Sequence, residues 1–590
     1  MFKKPVFDIN RLKGMPGKAR EAMKKMKLPP MLVFLILGII STIWFLIRVI
    51  PKPSRAAYPC MRVAAPIMSG FVLYLLSLGG ITLIFRNTRR GLYKVRFISV
   101  FLLIFTVFMS VSSSSGDVGT GYFPDDSEKT GPDDGPNQPF GKATGINPGR
   151  VIWAWDPEAT NEDCINSFDL CKAENTNQEV VSRMVQDAIL ELTGETKPDI
   201  AWKALFKSFN KKKHNKKRGY RQGEKIFVKI NQGTANAKLR MKEIENGFYI
   251  PESMTQSEDA KKGLTGTCET YPNVVLEILR QLVYHAGVDQ KNIIVGDPIA
   301  HIFGHNYEIW AKEFPEIIYV DRMSDNHGRT IIKPTEDDLL FYSDGKLTDK
   351  LYDVVAEADY MINIANLKPH GRAGMSLTAK NHFGSHGRQS AMHLHASLIS
   401  PSSLGRPTNN GYHKYRVMVD IMGSKYLGRN TLLFVVDALY GGGSNETKVP
   451  VKYFMPPFNN DWCNSVFMSQ DEVALESVCY DFIRSEWNGT YSHNPANNAY
   501  ESIPNVNGVD DHLHQAADPS NWPEGIIYDP DKTGKPLPSL GIHEHWNNSV
   551  SKQYSRNLGH NYGIELVAIP DTLVRSEKQA SAAGSAGTGV

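Results

Sequence analysis

Hydrophobic and polar positions divide the chain into two unlike parts. Three uncharged apolar runs crowd the first 111 residues: Met31 to Ile47, Val63 to Phe85 and Phe97 to Val111. They hold 17, 23 and 15 residues, against the roughly 20 that a membrane-spanning helix needs. The third reaches 19 if Ser112 to Ser115 are counted. Past residue 150 the pattern changes, and short apolar runs alternate with stretches of helical period. Val151–Ala154, Lys225–Ile230, Asn292–Val295, Ile317–Val320, Tyr360–Ile364, Thr431–Val436 and Ile564–Ile569 read as strands. Glu179–Leu192, Pro272–Ala286, Tyr415–Met422 and Asp471–Ile483 read as helices, the second opened by its proline and closed by Gly287. This alternation predicts an α/β domain with a mostly parallel sheet and flanking helices, preceded by three transmembrane helices.

Charge adds direction. Nine basic residues lie between Lys3 and Lys27 and five between Arg86 and Arg96, whereas Arg48, Lys52, Arg55 and Arg62 are the four between the first two runs. The positive-inside rule then places the N-terminus in the cytoplasm and the soluble domain outside. If the third run is instead a buried core helix, the domain returns to the cytoplasm. In a bacterium the expected protein is a multi-pass inner-membrane protein with a periplasmic domain, its first partner the lipid bilayer. Its expected parts are a basic N-terminus (1–30), a three-helix anchor (31–111), a Ser/Gly/Asp/Pro-rich flexible linker (112–149), the α/β domain (150–572) and a low-complexity tail (573–590).

Composition excludes several function classes. A net charge of +4 over 590 residues is too small for a nucleic-acid binder. The run Lys211 to Arg221, with seven positive charges, reads as a solvated loop between a helix and a strand. Six cysteines without a CxxC leave no usual ligand pattern for an iron–sulfur cluster. Cys164 and Cys171 are close enough in sequence to form a disulfide outside the cell, or to stay as two thiols.

Candidate chemistry gathers where strands end, because open α/β sheets bind ligands at the carboxyl ends of their strands. Asn231, Asp297, Asp321, Lys368, His370 and Asp437 follow predicted strands, and Gly441 opens a Gly-Gly-Gly loop that could cradle an anion. All 17 histidines lie after residue 200, and His370, His382, His386, His393 and His395 fall in one short segment with Lys368, Arg372, Lys380 and Arg388 and no carboxylate. Such a segment suits a small anionic ligand: Lys368, Lys380 and Arg388 hold its charge, and Lys368, His370, Lys380 and His382 are the expected catalytic groups, His370 and His382 as acid and base. Asn231 and Gly441 complete the expected ligand-binding set with Asp297 and Asp437, which orient a histidine or bind a metal. The segment suits equally a divalent transition metal on His382, His386, His393 and His395. Two further pairs, His512/His514 and His543/His545, stand beside Asp510, Asp511 and Glu544, a mixture that also suits a divalent metal. A non-catalytic binding or scaffold module at the cell envelope is the alternative to an enzyme.

The stretches AWKALFKSF, EKIFVKIN, INIANLKPHGRAGMSLTAKNHFG, LLFVVDALYGG and SQDEVALESV carry a likeness to a known family. So do GVDDHLHQAA and SLGIHEHWNN. From about Gly149 to Pro570 the chain resembles the bacterial domain of unknown function 362 family in its long membrane-tethered or secreted form. The most specific match lies in Lys368, His370, Thr378, Lys380, Asn381 and Gly384. Some members carry a ferredoxin-like cluster domain; this chain lacks its cysteines. The resemblance implies an α/β fold and leaves the activity open.

Overall fold

The computed structural model describes residues 131–164, 173–232, 269–300, 302, 304–321, 328–370, 372–388, 391–399, 411–442, 450–487 and 508–574. The three apolar runs, the basic N-terminus, Cys171 and residues 575–590 of the tail lie outside them. Among the described residues no helix is long and apolar enough to cross a membrane.

Fifteen strands are present among these residues. They are β1 (Phe140–Gly141), β2 (Arg150–Trp155), β3 (Ile226–Lys229), β4 (Ile293–Gly296), β5 (Ile318–Asp321), β6 (Arg329–Ile331), β7 (Pro334–Phe341) and β8 (Thr348–Tyr352), followed by β9 (Tyr360–Asn366), β10 (Lys368–His370), β11 (Gly374–Ser376), β12 (Thr431–Ala438), β13 (Ser465–Ser469), β14 (Ile542–His543) and β15 (Glu565–Ile569). Nine of them form one sheet in the order β15-β2-β13-β12-β9-β3-β4-β5-β6. Every neighbouring pair is parallel except those of β13, which runs antiparallel to both β2 and β12. The sheet is therefore mixed and mostly parallel, and the α/β expectation holds.

Both faces of the sheet are covered, which is why β3, β4, β9 and β12 read as almost continuous apolar runs. Alternate residues still part to opposite sides. Ile226 and Val228 pack with the helices α1 (Gln178–Thr193), α2 (Pro198–His214), α3 (Pro272–Arg280) and α4 (Gly304–Ala311), while Phe227 faces the other layer. That second layer holds α5 (Thr378–Asn381), α6 (Val417–Gly423), α7 (Glu472–Glu486) and α8 (Asp511–Ala517). Asn177 caps α1 by accepting from Val180 N, and Gly194 ends it at φ 74°. Asp471 likewise caps α7 through Ala474 N, at 3.0 Å.

Three local differences from expectation have physical causes. The helix expected over Pro272–Ala286 ends as α-helix at Arg280 and continues as a π turn, Gln281–His285, which seats Gln281 against Trp202 Nε1 at 3.1 Å. The lysine run is divided between helix and loop: Lys211, Lys212 and Lys213 lie in the last turn of α2, where cations favour the helix dipole, and from Asn215 onward the run is loop. The described part of the expected linker, residues 131–149, packs on the domain. There β1 pairs with β14, and Asn137 N donates to His545 O at 2.9 Å.

Candidate functional site

Chain order reverses at the middle of the sheet. From β3 the strands β4, β5 and β6 step toward one edge, and β9 then enters on the other side of β3. The carboxyl ends of β3 and β9 thus flank a topological switch point, where α/β sheets leave room for ligands. Polar residues gather there. Lys229, the last residue of β3, is fully buried; its Nζ donates to Ile230 O (2.6 Å) and Asn381 Oδ1 (2.9 Å) and pairs with Asp297 Oδ1 at 3.1 Å. Burial pushes its pKa down, and Asp297 pulls it back up. Asn231 donates to Asn381 Oδ1 (3.1 Å) and accepts from Lys368 Nζ (3.2 Å). Asn381 donates to Asn363 Oδ1 at 2.8 Å. An added Cβ at Gly384 would overlap the Asp297 carboxylate, and one at Gly442 would overlap Lys368. Both glycines are therefore required by close approach.

The remaining candidates around this cradle differ in role. His370 accepts from Arg372 N and Ala373 N, both 3.0 Å, on Nδ1, which fixes the proton of a neutral ring on Nε2. Lys380 Nζ lies 4.5 Å from the Phe383 ring centroid. Asp437 accepts from Tyr271 N (2.7 Å) and Leu439 N (3.0 Å), and burial pushes its carboxyl up to about 7. His382 accepts from Asn363 Nδ2 at 3.0 Å and bonds Ser385 Oγ at 3.1 Å. Burial, helped by Lys229, takes its pKa down to about 3, so it is a neutral positioning group rather than an acid. Gly442 N is spent on Leu367 O at 2.7 Å, and a side chain at Gly441 would meet Cys463 Sγ, so the described start of the glycine loop turns inward. Asp321, another strand-end suspect, ends β5 toward the β6 edge.

The histidine-rich segment does not act as one set. His386 and His393 stand together with Asp349, ring centroids 4.9 Å apart, as a group able to hold a metal. Arg388 is drawn into this group, paired with Asp349, instead of into the cradle. Asp349 also takes His393 Nε2 and Tyr342 OH, each at 2.6 Å, which occupies most of its acceptor capacity. His382 belongs to the cradle, and His395 sits 5.9 Å from His370 and 5.4 Å from Phe383 between ring centroids.

The two C-terminal histidine pairs are fully buried and largely converge. His514 from α8, His543 from β14, Asp510 and Asp134 offer ligand atoms within 4.8 Å of one another. Against the burial that opposes charge, hydrogen bonds from His514 and His545 hold Asp134 well below the ordinary carboxylate range. Burial pushes His543 well below its ordinary value, so its ring is neutral. His512 faces away, to Glu476 Oε2 at 2.9 Å. Among the described residues, then, buried His/Asp groups able to hold a divalent metal exist at two places, and neither is the quartet of His382, His386, His393 and His395.

Several of these residues escape sequence reasoning. Lys229 does have a signal, a lysine inside the apolar run KIFVKI. Asp134 has none, being one acid in a stretch of Gly, Pro and Asp. Residues 260–481 match the family described as Domain of unknown function (DUF362). The match takes in Asp297, Lys368, His370, Lys380, His382 and Asp437 but stops short of Lys229, Asn231 and the C-terminal histidines. No curated protein matches the chain.

Proposed function

We propose that this chain, whose residues 260–481 match the DUF362 family, is a membrane-anchored protein that binds a small carboxylate or phosphate anion at the β3/β9 switch point. One observation carries this reading: Lys229, Lys368 and three asparagines converge at those strand ends, with Asp297 already neutralised by Lys229. Lys368 and Lys380 hold the ligand's charge. His370, with its proton directed to Nε2, donates to the ligand or exchanges a proton with it. The apolar runs Met31–Ile47, Val63–Phe85 and Phe97–Val111 anchor the domain at a bacterial inner membrane, with the domain on the periplasmic side. The non-catalytic alternative, a binding module at the envelope, draws support from His382, which is held neutral and so removes one of two expected acid–base groups.

The test is thermal unfolding of the detergent-purified full chain with inorganic phosphate, pyrophosphate, lactate or citrate. A ligand at a hundredfold excess over its Kd stabilises by about 2.7 kcal/mol, a shift of a few degrees. At least one of these anions should produce it, and Lys368→Gln and Lys380→Gln should each abolish it. If no anion stabilises the wild type, or the variants respond equally, the reading is wrong. Sidedness is read from cysteine labelling of residues 112–130 in intact cells.

A further inference from the structure

We propose that Asp134, Asp510, His514 and His543, with His545 as a fifth ligand, form a closed site for a divalent first-row transition metal, distinct from the anion cradle. The inference is independent of the anion reading. It starts from tautomers. Ser477 Oγ donates to Val473 O at 2.7 Å and so accepts from His543 Nδ1, 2.8 Å away. The His543 proton is thereby placed on Nδ1, and Nε2 keeps its lone pair. That nitrogen is buried and has no hydrogen-bond partner among the described residues. His545 is anchored from behind: its Nδ1 donates to Asp481 Oδ1 at 2.7 Å, and Oδ2 of Asp481 is held by Trp546 N (2.9 Å) and Tyr554 OH (2.8 Å). A carboxylate behind an imidazole, itself anchored, is the arrangement that orients metal-binding histidines.

The spacing fits an ion. His514 Nε2 lies 2.9 Å from Asp134 Oδ2 and 3.9 Å from Asp510 Oδ2, and His545 Nε2 lies 3.5 Å from each of those two oxygens. Ligand bonds of about 2.1 Å give polyhedron edges of roughly 3.0–3.4 Å, within that spread. Tyr412 OH donates to Asp510 Oδ1 at 2.8 Å, which leaves Oδ2 for the cage. Two carboxylates balance a 2+ ion. Imidazole and carboxylate donors without thiolate select a first-row transition metal over calcium or magnesium. All five residues are buried, as in structural sites whose ligands come entirely from protein. Three contacts give way when the ion enters: the protons that His514 and His545 each share with Asp134 are released, and Arg484 Nη1, 3.4 Å from His545 Nε2, withdraws. The metal would clamp residues 134–141 onto α8 and β14, since Asp134 is the one ligand from that segment.

The test uses the full chain in detergent, stripped with phenanthroline and reloaded with zinc, manganese or cobalt. Mass spectrometry should find about one tightly held ion per chain. His543→Ala should lose it, while His393→Ala, in the Asp349 group, should keep it. Should His543→Ala fail to fold, Asp481→Asn leaves every ligand in place and should weaken retention against chelator by 10- to 100-fold. X-ray absorption of the loaded wild type should show nitrogen and oxygen neighbours with at least two imidazoles and no sulfur. No retained metal, loss in His393→Ala instead of His543→Ala, or a shell with sulfur or fewer than two imidazoles would each overturn the assignment.

Discussion

The strand-end cradle and the C-terminal cage are both buried and both contain histidine, yet their charged groups differ in sign: ammonium groups in the first, carboxylates in the second. In the cradle, Lys229 and Lys368 meet the amides of Asn231, Asn363 and Asn381, and each polar atom named there answers another. Of its histidines, His382 is held by Asn363 and Ser385. In the cage, three imidazoles and two carboxylates face inward, and the outward atoms of His543, His545 and Asp510 are tied to Ser477, Asp481 and Tyr412. Histidine density by itself therefore says little about chemistry. What decides it is which ring nitrogen is already committed, and whether the neighbours are ammonium groups or carboxylates.

Three perturbations separate the regions, taken from the largest effect down. The first is acid. His382 has its folded pKa lowered to about 3 from the 6.5 of an exposed histidine. Its contribution to stability is complete above pH 6.5 and is lost as pH falls toward 3, on the order of 5 kcal/mol in all. The difference in unfolding free energy between wild type and His382→Gln should therefore shrink across that window. A constant difference would mean that the ring is not held neutral. The second is Lys229→Met, which leaves Asp297 buried without its counterion and should cost about 3–5 kcal/mol in urea unfolding. Metal retention per folded chain should not change; if it does, the two regions are one. The third is Gly442→Ala, whose Cβ overlaps Lys368 and should cost about 1–3 kcal/mol. This variant should lose anion-dependent stabilisation while still folding at low temperature.

The sheet was legible where burial on both faces forces long apolar runs. Predicted strands such as Thr431–Val436 coincide with β12 (Thr431–Ala438), and Glu179–Leu192 coincides with α1 (Gln178–Thr193). The pair β7 and β8 was not legible, since PTEDDLLF is largely exposed and has no run to find. Helix α2 escaped because its lysine-rich end masks an apolar face of Trp202, Leu205, Phe206 and Phe209. Within the cradle, Asn231, Asp297, Lys368 and Asp437 followed from the strand-end rule, because local sequence sets where a strand stops. The cage depends on pairing across the chain. Asp134 lies 380 residues from His514, and no local pattern announces such a contact.

The smallest effect tests whether the regions communicate. Helix α8 (Asp511–Ala517) carries His514 into the cage and His512 toward the cradle. His512 Nε2 is 2.9 Å from Glu476 Oε2, and Oε1 of the same carboxylate accepts from Thr378 Oγ1 (2.9 Å) and Ala379 N (2.7 Å). Those two residues open the turn that presents Lys380 and Asn381. His512→Asn removes the histidine support but leaves Glu476 bonded to Thr378 and Ala379, so it should cost about 1 kcal/mol, the size of one hydrogen bond. The anion midpoint should weaken two- to fivefold with metal content unchanged. Stripping the cage metal from the wild type should weaken the same midpoint in the same direction, since α8 loses its clamp. If stripping moves the anion midpoint and His512→Asn does not, communication bypasses Glu476. If neither moves it, the anion cradle and the metal cage are independent sites on one domain.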